Sequence, residues 1–217
     1  GDGSVRLLYA GNSNNSEGEQ LSIDKTLYNN SYDNPTYVGY MYSNTLNTSY
    51  TDTISNNKNS TIKEIIDAWY KTNILETGYS SYIADSGFCN DRSISINSSG
   101  NGYTSLTHYS PHYRITTQVP SFNCSNSTND LFTLNGNEKG NGKLIYPIGL
   151  ITADELAYAG LAIGYLNKMS YTYSSQRYWT MSPASYLTGV NVAYVWIANN
   201  DGTLNSTYGY VHFQKHG

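Results

Sequence analysis

Charge is scarce in this sequence. Charged residues fill 13% of its 217 positions, against roughly a quarter in ordinary globular domains. Twelve Lys and Arg stand against sixteen Asp and Glu, a net charge of −4. No Lys/Arg run occurs, which excludes the electrostatic footprint of a nucleic-acid binder. No charged coiled-coil face is visible either. No phosphate loop, Gly-x-Ser-x-Gly elbow, His-Glu-x-x-His or Cys-x-x-Cys occurs, so no common catalytic motif announces itself. The most apolar window, Leu144 to Leu166, is interrupted by Pro147, Asp154 and Glu155, so it is no membrane span. No signal peptide opens the sequence. Gly1 reads as the start of a trimmed or processed form, and export is not legible from the N-terminus.

Uncharged polar residues replace charge. There are 26 Asn, 27 Ser and 21 Thr, together with 23 Tyr. Disordered chains are poor in aromatics, so 14% aromatic content argues for a folded, loop-rich, β-leaning protein. An AT-rich coding sequence favours Asn, Tyr and Ile and contributes to such a bias. Tyr, Ser, Asn and Gly are also the chemistry of recognition surfaces: Tyr offers contact area with few rotors, and the others offer adaptable hydrogen bonds. The two cysteines, Cys89 and Cys124, suit an oxidising compartment, and a bridge between them is expected, with two buried thiols as the alternative. Eight Asn-x-Ser/Thr sites occur, at Asn14, Asn29, Asn47, Asn59, Asn97, Asn123, Asn126 and Asn205. About six are expected by chance at this Ser and Thr content, so they carry little weight for glycosylation.

Val5 to Ala10 and Tyr37 to Tyr42 read as short strands, and Ser43 to Asn59 as a solvated connection. Ile62, Ile65, Ile66 and Trp69 form one apolar stripe at helical spacing, with Thr61 and Glu64 at capping-box spacing. A second helix is expected from Thr152, again with a capping box (Thr152, Glu155), and Gly160 stops it. Leu131 to Leu134 and Leu144 to Leu150 read as strand-like runs around a Gly/Asn hairpin loop. Tyr178 to Ser182, Val190 to Ala198 and Leu204 to Tyr210 read as strands, the last two joined by the turn Asn199-Asn200-Asp201-Gly202. The order is α+β, a single domain over 1–217 with an extended, loop-rich part over 1–59.

Catalytic constellations are weak. Asp154-Glu155 opens a helix, where capping and the helix dipole explain it. His108 and His112 are four apart and flanked by the cysteines, but Pro111 between them argues against a helical metal pair, and no metal is expected. His212 and His216 read as solvated tail residues. Binding chemistry is richer. From Tyr171 to Tyr210 aromatics interleave with Asn, Ser and Thr. If Val195 and Ile197 face the core, then Tyr194, Trp196 and Ala198 face the other side. Exposed rings and amides suit sugars or a protein partner. Trp179 is expected in the core; Trp196 stands either in the core or on the display face.

Several segments carry a resemblance. GLITADELAYAG (149–160), YWTMSP (178–183) and NNDGTLN (199–205) resemble a family of bacterial surface and extracellular proteins, as do GDGSVRLLYAG (1–11), PTYVGYMY (35–42), STIKEIIDAWYKTN (60–73) and SYIADSGFCNDRS (81–93). That family, found in gut Firmicutes and Mollicutes-like bacteria, carries a C-type-lectin-like domain related in fold to the formylglycine-generating enzyme. The resemblance implies two helices flanking a small sheet, a display face on the C-terminal strands and loops, and a secreted or surface-anchored parent. Two departures stand out. YVHFQKHG (210–217) replaces the family's closing Gly-Val-Arg-Pro-Val type strand. No Glu-Pro-Asn or Gln-Pro-Asp tripeptide occurs, so calcium-dependent sugar binding is not supported.

The reading is therefore a non-enzymatic, extracellular or cell-surface recognition or adhesion domain without a cofactor. Its ligand face is expected from Tyr186, Asn191, Tyr194, Trp196, Asn199, Asn205, Tyr208 and Tyr210. Its partner would be a glycan or protein on another cell or surface. The alternative is a subunit of a surface filament (pilin-like) or layer that self-associates. A formylglycine-generating enzyme would need copper-binding or redox cysteines near a substrate groove, and both cysteines lie outside the C-terminal region.

Overall fold

The computed structural model describes residues 7–9, 23–24, 26–46, 48–136 and 140–209. A 3₁₀ turn over Pro35–Val38 leads into β1 (Met41–Tyr42), α1 (Tyr50–Thr53), β2 (Lys58–Asn59) and α2 (Thr61–Tyr70). The middle of the chain contributes β3 (Phe88–Cys89), β4 (Thr107–His108), α3 (Ser110–Thr116), α4 (Ser127–Asp130) and β5 (Leu131–Phe132). Then come α5 (Ala153–Tyr158), β6 (Tyr178–Leu187), β7 (Val192–Ala198) and β8 (Leu204–Tyr208). All pairing between these strands is antiparallel, in two two-stranded ladders (β1-β2, β3-β5) and one four-stranded sheet ordered β4-β6-β7-β8. The mixed α+β class expected from the sequence is the class observed.

Both expected helices form. Ser60, not Thr61, caps α2: its side chain accepts from the Lys63 N–H. The buried stripe of α2 is also rotated from the expected one, toward Ile62, Lys63, Ile66, Asp67 and Tyr70. Charge enters the core there because Lys63 Nζ and Asp67 Oδ2 pair at 2.5 Å, one turn apart. In α5 the Thr152–Glu155 capping box is complete. Gly160, at φ +94°, ends it: Gly160 N–H donates to Ala157 O and Leu161 N–H to Leu156 O, the Schellman pattern that needs a left-handed residue.

Several local expectations fail. Tyr37 to Tyr42 is mostly the 3₁₀ turn, because Pro35 fixes its first turn and the Asn34 side chain caps it; only Met41 and Tyr42 pair. Ser43 to Asn59 is not merely solvated: it holds α1 and buries Thr53 and Ile54. Leu131–Phe132 makes its ladder with Phe88–Cys89; the run 144–150 forms no strand and bonds to 131–134 through Leu144 N–H, which donates to Thr133 O at 3.0 Å. Of the expected strand at 5–10, only Leu7 to Tyr9 are described, and they form none.

The four-stranded sheet is covered on both faces. On one, Val195, Ile197, Trp179 and Met181 pack with Tyr28, Tyr40 and α2. On the other, Trp196, Ala198 and Leu204 pack under Ile115 of α3 and Leu156 of α5. Both faces of β7 are therefore core. The expected alternation holds, but the second face is sheltered by helices.

Three consecutive residues tie these layers together. Asn90 accepts from Tyr40 N–H (2.9 Å) and donates to Met181 O (2.6 Å). Asp91 accepts from Arg114 Nη1 at 2.6 Å, and its φ of +38° places it in the left-handed region. Arg92, wholly buried, donates to Asp130, Met41 O and Asn56. Arg114 in turn grips Asp154 with two bonds, Nε to Oδ1 at 2.7 Å and Nη2 to Oδ2 at 2.8 Å. Asp154 thus does more than serve the helix dipole. Beside this node a disulfide joins Cys89 to Cys124, with Cα atoms 5.8 Å apart.

Candidate functional site

The end of the sheet nearest the β6–β7 turn carries a cluster of three tyrosines, two of them exposed. Tyr194 of β7 and Tyr208 of β8 are register partners, so their side chains leave the sheet on the same face. Their rings meet edge to face at 6.4 Å. Tyr32 adds a third ring, 5.8 Å from Tyr208. The segment bearing it is bonded to the sheet: Ala193 N–H donates to Tyr32 O at 2.7 Å, and Tyr28 and Asn29 N–H both reach Gly209 O. Tyr208 is 42% exposed and Tyr32 36%. Tyr32 and Tyr208 face solvent, and Tyr194 is half-buried against the Trp196 cluster, so two open rings rest on a third that is packed in place, the arrangement that lets an aromatic ring stack on a partner.

The expected face divides. Asn191 is exposed in the β6–β7 turn at φ +51° and joins Tyr194 and Tyr208 at this end. Tyr186 is a core residue instead: its ring is buried and its hydroxyl donates to Asp33 O at 3.2 Å, pinning the N-terminal segment. Trp196 is also core, at 2% exposure, because α3 and α5 cover its face of β7. Asn199 spends its side chain on the turn, donating to Thr203 Oγ1. Asn205 is exposed but points to the opposite face of β8 from Tyr208, toward the β7–β8 turn end. Tyr210 lies outside the described residues, as do His212 and His216. Tyr32 was not foreseen. Nothing in its local sequence marks it; only the return of the chain past β8 does.

Next to this end, His108 and His112 stack with centroids 4.3 Å apart, and His112 lies 6.0 Å from Trp196. Pro111 occupies the first turn of α3, where a missing N–H costs nothing. The two ring planes are only 23° apart, so they converge far beyond bonding distance. No single ion can then lie in both planes at the roughly 2 Å that imidazole coordination requires. Among the described residues no cluster of three His, Cys, Asp or Glu could hold a metal. Both Nδ1 atoms and Trp196 Nε1 are buried without a protein partner. Burial, and then His108, hold the His112 imidazole below its ordinary pKa.

Among the described residues no helix is long and apolar enough to cross a membrane. No family model matches the chain, and no curated protein or solved structure matches it either.

Proposed function

We propose that this chain is a non-enzymatic recognition or adhesion domain of a bacterial cell surface or extracellular protein, with a C-type-lectin-like fold. Its ligand, a glycan or protein on another cell or surface, rests on Tyr32, Tyr194 and Tyr208. The observation that carries this reading is the contact of Tyr208 with both other rings at a sheet end whose backbone is tied down by hydrogen bonds. Ser206, on the same face as Tyr208, lies at hand for hydrogen bonds to hydroxyls or amides, and Asn191, whose Oδ1 accepts from the Tyr186 hydroxyl, is exposed at the adjoining turn. The disulfide and the low charge are compatible with an oxidising, extracellular setting.

The test is binding of the purified chain to an array of glycans and surface proteins, with calcium and again with EDTA. Saturable, EDTA-insensitive binding that Tyr194→Ala with Tyr208→Ala abolishes is the expected result. Binding that survives the double substitution removes the ligand from this surface. A filament or layer subunit is the second reading, favoured by the position of β8 at the sheet edge. Sedimentation at high concentration separates the two, since a monomer disfavours self-assembly.

A further inference from the structure

Beyond α5 the chain displays large apolar side chains in one short stretch. Ile163, Tyr165, Leu166, Met169 and Tyr171 all face solvent, with Leu166 at 72% and Met169 at 93% exposure. This is not slack chain. Ala162 and Tyr165 form an antiparallel bridge, which makes a two-residue turn of Ile163 and Gly164. Gly164 has φ +73°, and a Cβ added there would meet no atom within 4 Å, so the turn projects into open space. Behind the tip the backbone is anchored. Leu204 N–H donates to Ala162 O at 3.1 Å, Asn167 Nδ2 to Gly160 O at 3.0 Å, and Ser170 Oγ to Ala159 O at 3.0 Å. Gly202 of the β7–β8 turn packs against the Asn167 backbone so closely that any side chain there would collide with it. Tyr158, exposed on α5, stacks on Phe122 at 4.3 Å and adds two more exposed rings.

Exposed apolar side chains on a rigid support mark an interaction surface. Charge selects the occupant. Lys168, exposed, is the single charged side chain of residues 160–171, whereas Arg177 lies within electrostatic reach of Asp201 in the β7–β8 turn and is offset by it. Lys168 stands between Leu166 and Met169. A projecting apolar tip with a cation at its base and tyrosines around it suits the boundary between acyl chains and anionic headgroups. We propose that residues 160–171, with Tyr158 and Phe122, dock this protein on an anionic lipid surface, with Ile163, Leu166 and Met169 entering the lipid. This docking lies on the surface and needs no membrane-spanning helix.

Flotation of the full chain with vesicles tests it, using phosphatidylcholine alone and phosphatidylcholine with one quarter phosphatidylglycerol. The protein is expected to float with the anionic vesicles, less so at high salt. Leu166→Asp with Met169→Asp should lower the bound fraction about tenfold or more, with the thermal midpoint unchanged because both side chains are exposed. Lys168→Glu should weaken binding to anionic vesicles more than to neutral ones. Leu166→Trp should shift its emission to the blue on binding. Tyr194→Ala with Tyr208→Ala should leave flotation intact, so this proposal and the ligand reading fail separately. Absence of flotation with both vesicles overturns the proposal. So does self-association that the Leu166 and Met169 substitutions abolish, which would assign the surface to a second copy.

Discussion

Arg92 Nε donates to Asp130 Oδ1 at 2.6 Å, and both side chains are buried. The Arg92 backbone N–H donates to the other carboxylate oxygen at 2.8 Å. One carboxylate thus satisfies both a guanidinium and a main-chain donor from the same residue, deep between β3 and α4. Asp130→Ala would leave the guanidinium charge buried and unpaired, which costs about 3–5 kcal/mol. Urea denaturation should show a loss of that size or no folded state. A loss under about 1 kcal/mol would mean the pair behaves like a surface ion pair and the node is not central.

Trp196 and Tyr208 make a paired test of which aromatics are core. Trp196→Ala removes a side chain sandwiched between β7 and the two covering helices, and should cost about 3–5 kcal/mol. Tyr208→Ala removes a half-exposed ring and should cost much less. Thermal melts of both variants decide this. Equal destabilisation would place Tyr208 in the core and remove it from the recognition surface.

The His108–His112 stack predicts a pH effect. The folded-state pKa of His112 is lowered, so the unfolded chain binds this proton first as pH falls. Stability is full above about pH 6.5, the ordinary value for the unfolded group. It declines as pH drops below that value and levels off once the folded group titrates too. Denaturation midpoints across this window should fall in the native chain, and His112→Phe should flatten the slope. An unaltered slope in the variant would assign the effect to other groups.

The disulfide closes a long loop that includes α3. Replacing both Cys89 and Cys124 with Ser should cost about 3–4 kcal/mol through the unfolded state. Denaturation with and without reductant should reproduce that difference in the native chain and show none in the variant.

Much of the local structure was legible in the residues. The Thr152–Glu155 box and Gly160 bound α5 on both sides because caps act within one turn of chain. The Asn199–Gly202 turn and its two strands follow from equally local chemistry. The alternation along β7 was legible as well. What covers each face was not, because α3 and α5 reach Trp196 from distant parts of the chain.

By itself, then, the sequence determined the α+β class, the second helix, the C-terminal meander and the uncharged polar surface. Periodicity, capping and turn chemistry need only near neighbours. Tertiary structure alone decided that Trp196 and Tyr186 are core, that Tyr32 joins Tyr194 and Tyr208, and that Asn90, Asp91 and Arg92 bind the layers together. It also decided that the apolar residues after α5 stay outside. Burial depends on which surfaces meet, and those contacts join residues tens of positions apart.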